Sequence, residues 1–142
     1  MIFWETSAVV PLIVDEPDTD GAERTLRNDP SMIVWWGTPI EGLSAVARLE
    51  REGALGRPAA DAARRTLAGY RDFWLEIAPR DDVREHASRL LLRHPLRAAG
   101  AVQLAAAMVW ARARPDRHSF LTRDGRLAEA ARKEGFDVIS FE

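Results

Sequence analysis

Short runs rich in β-forming residues, at positions 1–4, 32–36, 119–122 and 138–141, alternate along the chain with longer segments of helical periodicity. This alternation constrains the fold more than any other feature. Strands separated by helices do not turn back as tight hairpins. They cross over and lie parallel, and the crossing helices cover both faces of the sheet. Residues 74–77 read as one more short strand. The expectation is an α/β fold with a central parallel sheet of about four to five strands and helices on both faces. In open sheets of this kind, ligands bind beyond the carboxyl ends of the strands.

The helical segments have legible starts and stops. An apolar helix follows the first strand at once and runs through Ile13, with Pro11 weakening it unless it falls in the first turn. Residues 18–28 form an exposed helix ended by Asp29-Pro30. Thr38-Pro39-Ile40-Glu41 opens a helix reaching about Glu52, with Thr38 as N-cap, Pro39 at the first helical position and Glu41 closing a capping box. Residues 58–73 are amphipathic. Residues 80–93 place Val83, Ala87, Leu90 and Leu91 at helical spacing, and His94-Pro95 ends that helix. Residues 98–112 form an alanine-rich helix suited to close packing on the sheet. Residues 124–134 form the last helix, with Gly135 as its C-cap. No repeat or linker interrupts the pattern, so residues 1–142 read as one domain.

Composition narrows the chemistry. The chain is 46% hydrophobic and 30% charged, as expected of a soluble globular protein. It has no cysteine, which excludes a disulfide framework, thiolate nucleophiles and Cys-based metal sites, and fits a reducing compartment. The apolar start is broken by Glu5 and lacks a basic beginning, so it reads as neither signal peptide nor membrane span; the expected location is cytoplasmic. A net charge of −2 excludes a globally basic nucleic-acid binder but leaves a local patch open. His86, His94 and His118 lack metal-ligand spacing. Trp35, Trp36, Trp74 and Trp110 suit core or interface positions better than base stacking.

What remains is a set of carboxylates at strand and helix ends. Glu5 stands at the tip of the first apolar run, Glu41 at a helix start, and Asp124 after the strand at 119–122. Glu41 also suits a capping box and Asp124 an N-cap, whereas an apolar run seldom ends on a carboxylate by accident. Several acids distant in sequence and gathered at strand ends are what metal-assisted phosphodiester hydrolysis requires. Mg²⁺ and Mn²⁺ prefer oxygen ligands, activate water and neutralise phosphate charge.

Four segments then resemble the motifs of the PIN-domain family, of the VapC toxin type. These are Met-Ile-Phe-Trp-Glu-Thr-Ser-Ala at the start, Thr38-Pro39-Ile40-Glu41, the run from His94 through Leu96-Arg97-Ala98-Ala99-Gly100-Ala101 to Ala105, and Phe120-Leu121-Thr122-Arg123-Asp124. Their order and spacing match from end to end. The resemblance implies a metal-dependent endoribonuclease with Glu5, Glu41 and Asp124 as catalytic acids. Glu5 and Asp124 would hold Mg²⁺ or Mn²⁺, while Thr6, Ser7 and Thr122 would hold a water or orient a carboxylate. It also implies an RNA substrate, a small VapB-type antitoxin and a homodimer.

Two positions depart from the family pattern. Glu5 stands where the family has Asp, which extends the carboxylate by about 1.5 Å, one carbon–carbon bond. Gly100 stands where the family has its third acid, and Gln103, about one turn on, could offer only a neutral oxygen. A weakened metal site follows, and the alternative is a catalytically silent PIN fold that binds RNA or an antitoxin without cutting. A phosphoacceptor domain would need a lysine beside its acids, yet the only lysine, Lys133, lies in the last helix.

Overall fold

In the computed structural model, which describes residues 1–141, five strands and seven helices alternate. In chain order they are β1 (Ile2–Trp4), α1 (Thr6–Ile13), α2 (Thr19–Asn28), β2 (Met32–Trp35), α3 (Thr38–Arg51) and α4 (Arg57–Tyr70). Then come β3 (Leu75–Ile77), α5 (Asp81–Arg93), α6 (Ala98–Trp110), β4 (Ser119–Leu121), α7 (Gly125–Glu134) and β5 (Asp137–Ile139). The strands form one sheet in the order β3-β2-β1-β4-β5, and every neighbouring pair is parallel. The α/β fold with a parallel sheet covered on both faces is therefore as expected from sequence. No helix among the described residues is long and apolar enough to cross a membrane.

Alternation within the strands divides the core in two. Ile2, Trp4, Met32, Val34 and Leu121 face one layer, packed against α1, α2, α3 and α4 through Val9, Ile13, Ala22, Val46, Ala63 and Leu67. Phe3, Ile33 and Phe120 face the other, against α5, α6 and α7 through Val83, Leu90, Leu104, Leu127 and Ala131. The alanines of α6 let its backbone approach the sheet closely; Ala101 and Ala105–Ala107 are fully buried.

β1 lies at the centre, bonded to β2 through Ile2↔Met32 and Phe3↔Ile33, and to β4 through Phe3↔Phe120 and Trp4↔Leu121. The chain moves outward from β1 to β2 and β3, then returns to place β4 and β5 on the other side. The crevice at the carboxyl end of β1 is therefore the switch point at which the winding reverses.

One local expectation is decided and another corrected. Pro11 lies past the first turn of α1, the case in which it weakens the helix, and its missing N–H leaves the Ser7 carbonyl without the usual helix donor. Arg123 replaces that donor, its Nε reaching Ser7 O at 2.6 Å. The capping box at Thr38 does not form. Gly37 is the N-cap, with no side-chain cap bond, and Thr38 is already helical and fully buried. Its hydroxyl lies 3.3 Å from the Gln103 amide, and the Glu41 carboxylate also turns toward Gln103. The amide of Gln103 on α6, not the local backbone, takes both side chains.

Candidate active site

The four helices that follow β1, β2 and β4, or pack at their carboxyl ends, start around the crevice: α1 at Thr6, α3 at Thr38, α6 at Ala98 and α7 at Gly125. A cavity of about 380 Å³ opens among these starts, lined by Glu5, Glu41, Pro95, Leu96, Arg97, Ala99, Gly100, Asp124, Arg126 and Leu127. The three sequence-predicted acids thus line one cavity, together with Gly100. A second cavity shares Glu5 and Glu41 on their other side and adds Ser7, Ser44, Arg48 and Arg123.

Glu5 is buried at the end of β1, and its Oε2 is held twice. Ser7 Oγ donates to it, and so does Thr122 Oγ1, at 2.7 Å. Each hydroxyl in turn accepts a backbone N–H: Ser7 Oγ from Arg123 at 2.8 Å, and Thr122 Oγ1 from Asp124 at 3.0 Å. A hydroxyl has one proton, and these backbone donors leave that proton free to face the carboxylate. Ser7 and Thr122 are therefore placed to orient Glu5.

Asp124 is at once cavity lining and helix cap. Its Oδ1 accepts from Arg126 N at 2.9 Å and from Leu127 N at 3.2 Å, fixing the carboxylate at the positive end of α7. Among the described residues, no hydrogen bond reaches Asp124 Oδ2 or Glu5 Oε1.

Glu41 is half-buried and is held from α6. Gln103 Nε2 donates to its Oε1 at 2.9 Å and lies 2.8 Å from Thr6 Oγ1. Burial raises the Glu41 carboxyl above its ordinary value; the Gln103 bond opposes this, the Glu5 charge adds to it, and Thr6 opposes it again. Sequence reasoning gave Gln103 the wrong end: the amide presents its N–H₂ to the acid, not an oxygen to the cavity. Thr6, one of the three hydroxyls expected to orient an acid or hold a water, lies within this same cluster.

Gly100 is in the first turn of α6. A Cβ added there would meet only Leu127 Cδ1, at 3.8 Å, so the position has room for a side chain. Among the described residues, no three acidic, imidazole or thiol side chains are gathered closely enough to hold a metal ion. The acids share a cavity without forming a closed cage.

No family model matches this sequence, and no curated protein matches it. Among solved structures, the chain is similar to VapC20 of Mycobacterium tuberculosis, a Sarcin-Ricin loop cleaving toxin. The two are 22% identical, with 96% of each chain covered and a TM-score of 0.64. The fold is that of a VapC toxin. Within a VapC fold that extends along nearly the whole chain, the cavity at the switch point is where the three acids lie.

Proposed function

We propose that the chain is a VapC-like toxin: a metal-dependent endoribonuclease that hydrolyses RNA phosphodiester bonds, with its acidic site altered at Glu5 and Gly100. The observation that carries this reading is the cavity at the switch point, where carboxylates from three separate elements stand together. The similarity in fold to a Sarcin-Ricin loop cleaving toxin supports it.

The donor set fits Mg²⁺ or Mn²⁺ in kind. The acids offer only oxygen, and the cavity lining contains no imidazole or thiol. Glu5 Oε1 and Asp124 Oδ2 are the atoms that would hold the ion, each on a carboxylate whose other oxygen is already anchored. Such an ion, when bound, supplies a sink for phosphate charge and acidifies water. Glu41, with its carboxyl raised by burial, is suited to orient the attacking water and take its proton. Arg97 and Arg126 line the same cavity, and their guanidinium forks match phosphate oxygens. The expected partners are an RNA substrate, a VapB-type antitoxin and a second copy of the chain. Exposed Phe73, Leu91 and Leu92 offer apolar surface for such association.

Calorimetric titration with Mn²⁺, run beside cleavage of a generic RNA, tests the reading. Weak metal binding and slow cleavage, both removed by Glu5→Gln, are expected. A protein that binds no Mn²⁺ and cuts no RNA overturns it. That outcome would leave the second reading, a silent fold that binds RNA or antitoxin, which the side-chain-free position 100 and the open acid arrangement favour.

A further inference from the structure

Gln103 lies deep in the molecule, 1% exposed, one turn beyond Gly100 on α6. Its Nε2 faces three oxygens: Thr6 Oγ1 at 2.8 Å, Thr38 Oγ1 at 3.3 Å and Glu41 Oε1 at 2.9 Å. Its own Oε1 is buried with no partner. A flipped amide would turn this carbonyl toward two threonine hydroxyls, either of which can donate, and would satisfy it. The flip would also set a carbonyl against the Glu41 carboxylate, which can only accept. The amide thus leaves one buried acceptor unmet, which is unfavourable, and keeps a donor on the acid.

We infer that Gln103 is a positioning residue that fixes the direction of the Glu41 carboxylate in the cavity. The inference rests on the proposed metal-dependent reading for its functional consequence, though not for its geometry. Thr6 and Thr38 fill out the cluster with hydroxyls that can either accept or donate, so Glu41, whose carboxylate can only accept, is the partner that dictates the orientation of the amide.

The test is a double-mutant cycle with Gln103→Met and Glu41→Gln. Methionine keeps the length and volume and removes both the donor and the unmet acceptor. Cleavage of a generic RNA should be about tenfold slower in Gln103→Met than in the parent, because Glu41 no longer holds the attacking water in place. In the Glu41→Gln background the loss should be less than about twofold. Unchanged Tm in Gln103→Met separates this from damage to the fold. An equal loss in both backgrounds, or none in either, overturns the inference. A crystal structure of Gln103→Met reads the same point without metal. Displacement of the Glu41 carboxylate from its parent position supports the inference, and an unmoved carboxylate overturns it. If the parent cuts no RNA, the functional reading fails, while this structural arm still decides the role of Gln103.

Discussion

The two sides of the cavity are built differently. On the β1–β4 side, Glu5 and Asp124 are held by backbone N–H groups, either directly or through hydroxyls that those groups fix. Ser7 and Thr122 share Glu5 Oε2, each locked by a backbone N–H, and Asp124 is pinned by two amides of its own helix. On the α3–α6 side, Glu41 depends on buried side chains reaching across from other helices, and position 100 contributes no side chain at all. The first side is over-determined and the second is thinly held. Glu5 is met by two hydroxyls at its own reach, whereas Gly100 brings no carboxylate to the cavity it lines.

The contrast can be broken most forcefully on the rigid side. Glu5→Gln keeps an oxygen for Ser7 and Thr122 and removes the charge. Cleavage should fall about 10²–10³-fold, the scale of losing one electrostatic stabiliser, with Tm nearly unchanged; rate measurements on a generic RNA beside a thermal melt check this. Removing the support instead of the acid should do less. Combining Ser7→Ala with Thr122→Val should weaken Mn²⁺ binding about 10–100-fold by calorimetry, and each single change should cost less because one hydroxyl still holds Glu5.

The thin side can be strengthened. Gly100→Asp places a carboxylate in the first turn of α6, where the open space and the helix dipole both favour it. Mg²⁺ affinity should rise about tenfold, an added carboxylate ligand being worth on the order of 1.4 kcal/mol, and cleavage should rise with it. Glu5→Asp introduced by itself should not help, since the shorter side chain retreats from both hydroxyls. If Glu5→Asp alone outperforms Gly100→Asp, the assignment of rigid and thin sides is reversed.

The smallest effect is the pH dependence of Glu41. Its carboxyl is raised in the folded state, so the native chain binds that proton more tightly than the unfolded chain does. The resulting stability is complete below the unfolded value near 4.5 and is lost as pH rises through the higher folded value. Glu41→Gln removes this dependence. Relative to the parent its Tm should gain about 2 °C above neutral pH, a small shift because the group is partly screened by solvent, and the gain should vanish near pH 4.

Much of this arrangement was legible along the chain. The alternation of short β-rich runs with helical segments announced a parallel sheet covered on both faces, and Glu5 at the tip of the first run put an acid at its carboxyl edge. Asp124 was read both as cap and as site residue; the structure shows the cap, with the residue lining the cavity. What escaped was direction. Thr38 and Glu41 have the spacing of a capping box, and no local signal says that an amide 62 positions from Glu41 will claim the acid. The donor end of Gln103 could not be chosen without knowing what it faced. The repair of the Pro11 helix also lies out of local reach, because the donor is Arg123.

The central place of β1 has a consequence for how the molecule comes into being. A chain synthesised from its N-terminus presents Glu5, Ser7 and Glu41 before β4, the neighbour of β1 on its other side, has been made. Thr122, which holds Glu5, follows 117 positions later, and Asp124 comes after it. Nascent chains that stop short of β4 therefore carry two acids and no assembled cavity. If the molecule cuts RNA as proposed, it leaves the ribosome, itself made of RNA, with its cutting edge put together last.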